Sequence, residues 1–379
     1  MQCMHCLMTI CETVVSLSSY PKNDPIQMVD AKTNGNEEET MWKKYQGLMA
    51  LCLCVLLGQT QFAKAADPIE LSFSIFLPPQ SISYKDVLVP WAERVEEASN
   101  GEIKIKLYPG GALGKSPAVQ LDLLTNGVAD IAWMIPAYSQ GKYPDNEVLN
   151  LPFHVASSVE GSVSYWRLYE KGLLRGYEDL QPLGLFTTAP YSLHTAKPMT
   201  SLSDVSGLKI RSAGQVDNAI LEKIGATPVG LPVTQAAESI SRGVIDGSLA
   251  EWIGLNDFRI LDVTKYHLLV PMGAVPIMVA MSKERFDALP ESAQKAILSV
   301  SGETFSRAFG EVFDTEADRI HKETVASSKH VVTEPDGAAL EQWRTELGEV
   351  SDGWAKNQEN GAKLKASLET ILSDIRAGR

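Results

Sequence analysis

The chain has 379 residues, 44% of them hydrophobic and 21% charged, with a net charge of −13. That length is enough for an ordinary globular core and predicts two domains, or three. The acidic balance, with no Lys/Arg cluster, makes nucleic acid and anionic membranes poor partners.

All five cysteines lie early, at Cys3, Cys6, Cys11, Cys52 and Cys54. Cys3 and Cys6 have CxxC spacing, but no second pair completes a zinc site, so no metal is expected. Residues 41–65 read as a secretory signal peptide. Lys43 and Lys44 give the positive start, residues 48–58 form the apolar run, and Ala63-Lys64-Ala65 is an A-x-A cleavage site. A spanning helix would need about 20 apolar residues. Signals begin at the start methionine, so Met41 is expected to be the initiator. Residues 1–40 are then untranslated or disordered; the alternative is a long pre-region on a chain that starts at Met1. A cysteine-free exported chain from Ala66 onward fits a bacterial periplasm.

Residues 69–76 alternate Ile69, Leu71, Phe73 and Ile75 with polar neighbours, a strand pattern. Residues 87–98 carry Val87, Leu88, Trp91 and Val95 on one helical face. Ile103, Ile105 and Leu107 alternate with lysines in a second strand. A helix over 118–125 and a short apolar strand over 130–135 follow. This β-α-β-α-β order predicts a parallel sheet wrapped by helices. Gly110-Gly111-Ala112-Leu113-Gly114-Lys115-Ser116 resembles a phosphate-binding loop. The required glycine five before Gly114 is Pro109, however, which has no N–H to offer a phosphate. It reads as a plain strand-to-helix turn.

Residues 138–152 read as a polar loop, with strands over 183–186 and 191–195, the second crossing between lobes. In residues 207–214, Leu208 and Ile210 alternate with Lys209 and Arg211. Gly214 then leads into a helix carrying Val216, Ala219, Ile220 and Ile224. Arg211 thus sits at a strand-to-helix junction, the carboxyl edge where open α/β sheets bind ligands. Its planar guanidinium matches a carboxylate; the plainer reading is a surface salt bridge. A short strand after Pro228, a helix over 234–242 and strands over 246–252 and 277–281 follow. From Pro290, the positions Ala293, Ile297, Val300, Thr304, Ala308, Val312, Ala317, Ile320 and Val325 keep helical spacing. An unbroken helix of about 35 residues would span about 50 Å, a strut across two lobes. Helices near 337–355 and 361–376 close the chain.

Several stretches together resemble the solute-binding proteins of TRAP (tripartite ATP-independent periplasmic) transporters. They are LYPGGALGKS, LLTNGVADIAW, NLPF, SLSDVSGLKIRSAG, LEKIGATPVGLP, SRGVIDGSLAEW and ALPESAQKAIL. Their order and spacing carry the match from Ile69 to beyond Val325. The resemblance implies an α/β, two-lobe periplasmic binding protein fold with crossing strands and a long interlobe helix. Residues 66–188 plus 275–318 would form lobe I, and 189–274 plus 319–379 lobe II. It implies a monomer without cofactor that captures a small organic carboxylate for membrane permease subunits.

The family's carboxylate-clamping arginine falls on Arg211. Polar contacts of the sialic-acid branch fall here on Phe76, Ile135, Tyr138, Tyr191 and Ala250, with Tyr191 in place of a second arginine. Buried sugar hydroxyls would lack partners, at a cost of about 1–3 kcal/mol each. A monocarboxylate with an apolar or aromatic tail, such as a 2-oxo or 2-hydroxy acid, is expected instead. Trp133 and Trp252 would line that tail; core packing is the alternative role for each.

Two other functions compete. An enzyme would need a nucleophile or ligand motif. Neither Gly247-Ser248 nor Gly161-Ser162 completes G-x-S-x-G, and His154, His194, His267, His321 and His330 form no HExxH. A carboxylate pair brought together by folding remains as its only route. A sensor that presents its cleft to a receptor would have the same sequence features as a transport protein.

Overall fold

The computed structural model describes residues 67–379. The leader assigned to 41–65, the residues before it and all five cysteines lie outside the described residues. Among the described residues no helix is long and apolar enough to cross a membrane.

In chain order the elements are β1 (Ile69–Ser74), α1 (Val89–Ala98), β2 (Ile103–Tyr108), α2 (Gln120–Thr125), β3 (Ile131–Met134), α3 (Ser158–Glu170) and β4 (Leu180–Thr187). Then come β5 (Ser192–Thr195), β6 (Lys209–Ser212), α4 (Gln215–Lys223), β7 (Thr227–Gly230), α5 (Ala236–Ser241), β8 (Gly247–Ala250), α6 (Trp252–Asp257) and β9 (Tyr266–Leu268). The chain closes with β10 (Pro276–Ser282), α7 (Lys283–Asp287), α8 (Glu291–Ser299), α9 (Glu303–Ala326), β11 (Val331–Thr333), α10 (Gly337–Asn357) and α11 (Gly361–Arg376).

Two sheets result. The first has the order β2-β1-β3-β10-β4, the second β11-β9-β5-β8-β6-β7. β1 pairs in parallel with β2 and β3, as the alternating strand and helix order requires. β10 returns from the second sheet and pairs antiparallel with both β3 and β4. On β2, Ile103 and Ile105 are buried while Lys104 and Lys106 face water, the usual protection of an edge strand. Phe73, Trp91, Phe186, Phe305 and Phe309 fill the core beside the first sheet.

The helix expected to run unbroken from Pro290 is two helices. α8 ends at Ser299, and Gly302, with φ of +82°, turns the chain before α9. The Gly302 N–H leaves the helical ladder to donate to the Leu183 carbonyl at 2.8 Å. A Cβ at Gly302 would lie 3.3 Å from the Trp166 ring. The break resets the helical phase. The buried stripe is Phe305, Phe309 and Phe313, not the Thr304, Ala308 and Val312 expected by continuing the spacing from α8. At 24 residues α9 is about 36 Å long. It packs on α3 and β4 beside the first sheet and reaches α6 and β11 beside the second. Its Asp314 carboxylate accepts from the Ser158 and Val159 N–H groups, at 2.7 and 3.0 Å. A negative charge thereby meets the positive end of α3.

Two segments connect the sheets, 188–191 after β4 and 269–275 before β10, and they bond to each other. Thr188 N–H donates to the Val275 carbonyl at 3.0 Å, Tyr191 N–H to Gly273 at 2.7 Å, and Met272 N–H to Tyr191 at 2.9 Å. The 149–153 stretch joins this pair: Ala274 N–H donates to Leu149 and Phe153 N–H to Pro271. The closest approach needs a glycine. Gly273 has φ of +86°, and a Cβ there would lie 1.8 Å from the Asn150 carbonyl oxygen. Gly127 has φ of +69° but nothing within 4 Å. Gly273→Ala is therefore expected to cost more than about 2 kcal/mol in urea denaturation, against about 1 kcal/mol for Gly127→Ala. Equal losses would contradict a close-packed crossover.

Candidate functional site

Arg211 lies on β6, in register with Val229 of β7 and Ser248 of β8. Its side chain is 0% exposed. A buried charge costs several kcal/mol unless its donors are met. The backbone just beyond those register partners supplies acceptors. Nε donates to the Leu231 carbonyl at 2.9 Å and one Nη to the Leu249 carbonyl at 3.1 Å. The other Nη donates to the Tyr138 hydroxyl at 2.8 Å, and the Val233 N–H donates to the same oxygen at 3.0 Å. Tyr138 follows β3 of the first sheet, so its phenol bridges the two sheets. A guanidinium has five N–H groups. Three are used in these bonds, and the Tyr191 phenol makes a further contact with the guanidinium.

Beside this group lies a cavity of about 500 Å³ including its open mouth. Phe76, Trp133, Ile135 and Phe313 wall it from the first-sheet side; Tyr191, Val233, Ala250 and Phe258 wall it from the other. Phe76 and Phe258 stack across it at 6.5 Å. A larger space of about 910 Å³ opens nearby, lined by polar groups such as Ser139, Glu147, Ser212 and Asn218. Neither cavity has a cationic side chain in its lining, and the polar walls of this one make it the poorer match to an apolar acid. Asp217, buried behind Arg211 in the first turn of α4, accepts from the Ala213 N–H at 2.8 Å. Burial raises its pKa, and the backbone donors and Arg211 oppose the rise.

Two acids also line the cavity, Glu251 and Asp257, at the two ends of α6. Glu251 caps that helix: its oxygens accept from the Ile253 and Gly254 N–H groups at 2.6 and 2.7 Å. Burial pushes its pKa up to about 7, despite those donors, and the charge of Asp257 adds to the rise. Burial likewise pushes Asp257 up to about 6, with Asn256 and Lys85 pulling down and Glu316 pushing up.

The structure gathers Phe76, Trp133, Ile135, Tyr191 and Ala250 around one cavity, and the Arg211–Tyr138 pair, outside its lining, is tied to it through the Val233 N–H. Trp133 also packs on Phe186 and Phe309 at 5.8 and 5.7 Å, so it serves core and wall together. Trp252 is placed elsewhere. β8 ends at Ala250 rather than continuing to 252, and the Glu251 cap starts α6 with Trp252 turned among histidines. It stacks on His321 at 5.2 Å, meets His194 edgewise and lies tilted against His267. His194, His267 and His330 form a chain with nitrogen separations of 2.9 and 3.1 Å. His194 and His267 lie far apart in sequence but are register partners on β5 and β9. Burial holds His267 down to about 3. Glu251, Asp257 and Phe258 were not anticipated. The only sequence signal was an acid between an apolar strand and a helix, a helix-cap pattern.

Two sheets joined by paired crossovers, with a cavity walled from both sides and a cation at its edge, define a solute-binding protein. The chain belongs to the bacterial extracellular solute-binding protein family 7, the DctP family, whose model matches residues 73–357. It is thus a solute-binding protein of the TRAP transporter class, with the two-lobe fold that class implies. The fold is similar to that of a TRAP solute binding protein from Rhodoferax ferrireducens T118 in complex with copurified benzoate. The TM-score is 0.77 at 26% identity, over 82% of this chain and 100% of that one. A marine metagenome TRAP protein specific for aromatic acid ligands, in complex with metahydroxyphenylacetate, matches with TM-score 0.76 at 28% identity, over 81% and 99%. In sequence, the outer membrane transporter protein TsaT of Comamonas testosteroni is 27% identical over 341 residues, 87% of this chain and 98% of that protein.

The Glu251 shift has a consequence for stability. The fold favours the protonated carboxyl, so this contribution is complete below the ordinary 4.5 and is lost as pH rises through about 7. Glu251→Gln keeps one cap acceptor and cannot ionise. It is expected to remove a pH-dependent loss of roughly 3 kcal/mol across that window. The variant's profile of stability against pH, from denaturant titrations, should be visibly flatter. A slope equal to wild type would contradict the assignment.

Proposed function

We propose that this protein captures a small monocarboxylate with an apolar or aromatic tail, its carboxylate held by Arg211. The observation that carries the reading is a fully buried guanidinium, bonded to neutral partners including the Tyr138 and Tyr191 phenols, beside an aromatic-walled cavity. A carboxylate that displaces a phenol can accept from both terminal nitrogens in charge-assisted bonds, which are stronger than bonds to a neutral hydroxyl. Water is excluded at that depth, which strengthens them. Phe76, Trp133 and Tyr191 then cover the tail. The Rhodoferax and metagenome relatives, in complex with benzoate and metahydroxyphenylacetate, support an aromatic acid.

Closure follows from the same contacts. Lobe I, residues 66–188 plus 275–318, supplies Tyr138, Phe76 and Trp133; lobe II, residues 189–274 plus 319–379, supplies Arg211 and Tyr191. A ligand that touches both favours the closed state over the open one. The loaded protein, exported to the periplasm as a monomer, then delivers the acid to a TRAP membrane permease.

Arg211→Ala should remove the partner of a buried carboxylate, at a cost of about 3–5 kcal/mol. Calorimetric titration with benzoate is expected to show at least about a hundredfold weaker binding than wild type. Unchanged affinity would refute the clamp.

A further inference from the structure

Three polar features of the cavity wall are left over once Arg211 has taken a carboxylate. The first is the indole of Trp133. It lines the cavity and is 1% exposed, and its Nε1–H has no acceptor among the described residues. A buried donor without a partner is costly and uncommon. The second is Glu251, whose oxygens each accept one N–H from the helix they cap. A carboxylate oxygen has room for two bonds, so one place on each remains. The third is Asp257, whose only side-chain partner among the described residues is Asn256, at a long 3.4 Å.

The donor and the acceptors lie on opposite sides. Trp133 is on β3 of the first sheet; Glu251 and Asp257 bracket α6 beside the second. No Lys, Arg or His lines this cavity. A second carboxylate on the ligand would therefore meet two acids and no cation. A ketone could use the indole and leave the carboxylates unmet; a plain hydrocarbon tail could use neither. A hydroxyl has one O–H to donate and lone pairs to accept, and so satisfies both sides at once.

We propose that the ligand carries a hydroxyl on its tail, which accepts from Trp133 Nε1–H and donates to Asp257, the less occupied of the two carboxylates. This rests on the aromatic-acid reading above and specifies its substrate class as hydroxylated monocarboxylates. The hydroxyl ties one lobe to the other across the cavity. The wall therefore selects hydroxylated monoacids over plain ones and rejects dicarboxylates. Lys85 and Glu316 are the charged neighbours of Asp257, and neither lines the cavity.

The test is calorimetry on the protein with benzoate, each of the three monohydroxybenzoates, and terephthalate, in wild type, Trp133→Phe and Asp257→Ala. The quantity read is the ratio of affinities, best hydroxybenzoate over benzoate, so a general weakening of binding cancels. Wild type is expected to prefer one hydroxylated isomer at least about tenfold, one well-made buried hydrogen bond. Each variant should bring that ratio below about threefold, and terephthalate should not bind wild type. Asp257 is only half-buried, so its variant keeps the test valid if Trp133→Phe fails to fold. A wild-type ratio near one, or a ratio that survives both substitutions, overturns the proposal while leaving the monoacid reading intact. Failure of wild type to bind any of the benzoates overturns that reading, and this proposal with it.

Discussion

A single buried positive charge organises the centre of this molecule. Arg211 is enclosed on all sides, and what makes that tolerable is two main-chain carbonyls and a phenol aimed at it. The carbonyls belong to the strand ends on either side of β6, so the parallel register that places Val229 and Ser248 against Arg211 also solvates it. The phenol comes from the other sheet. Tyr138 accepts from Arg211 and from Val233 with one oxygen, so the same hydroxyl that helps to satisfy the cation also links the halves. Its partners are two carbonyls and phenols, all neutral, and an anion makes a stronger partner for a guanidinium than any of them.

The rest of the fold places walls around that charge. The crossover segments bond to one another through Thr188, Tyr191, Gly273 and Val275, so Tyr191 reaches the cavity from a backbone fixed in both directions. α9 runs past both sheets and contributes Phe313 to the wall. α6 contributes through its cap: Glu251 satisfies two N–H groups of its own helix and still faces the cavity. The cost is a carboxyl whose ionisation is opposed by burial. Such a group in a ligand cavity marks a functional site as readily as a structural one.

Much of this was legible in the order of residues. The strand and helix alternation from Ile69 to Met134 predicts the parallel β2-β1-β3 part of the first sheet but not the antiparallel β10 inserted beside it, and Arg211 at a strand-to-helix junction predicts a cation at a sheet's carboxyl edge. Periodicity failed where it was carried across a break. Spacing counted from Ala293 ran through Gly302 onto Thr304, Ala308 and Val312, off the buried stripe of α9, and met that stripe only at Ala317 and Ile320, because a reset of helical phase leaves no trace in a list of apolar positions. Trp252 was misplaced for a related reason. An apolar run does not say where a strand stops, and only the Glu251 cap starts the helix that turns the indole away. The histidine chain and the cavity that Trp133 shares with α6 depend on contacts between residues far apart in sequence, which no local pattern encodes.

Two cavities compete for a ligand. The larger is polar and open, and the smaller is aromatic and includes Tyr191 and Val233, which neighbour the Arg211 guanidinium. Co-crystallisation with 4-bromobenzoate separates them in one measurement, because anomalous scattering locates the bromine independently of the protein. The account predicts the ring between Phe76 and Trp133, with carboxylate oxygens about 2.7–2.9 Å from the terminal nitrogens of Arg211. Bromine among Ser139, Ser212 and Asn218, with Arg211 untouched, would contradict it.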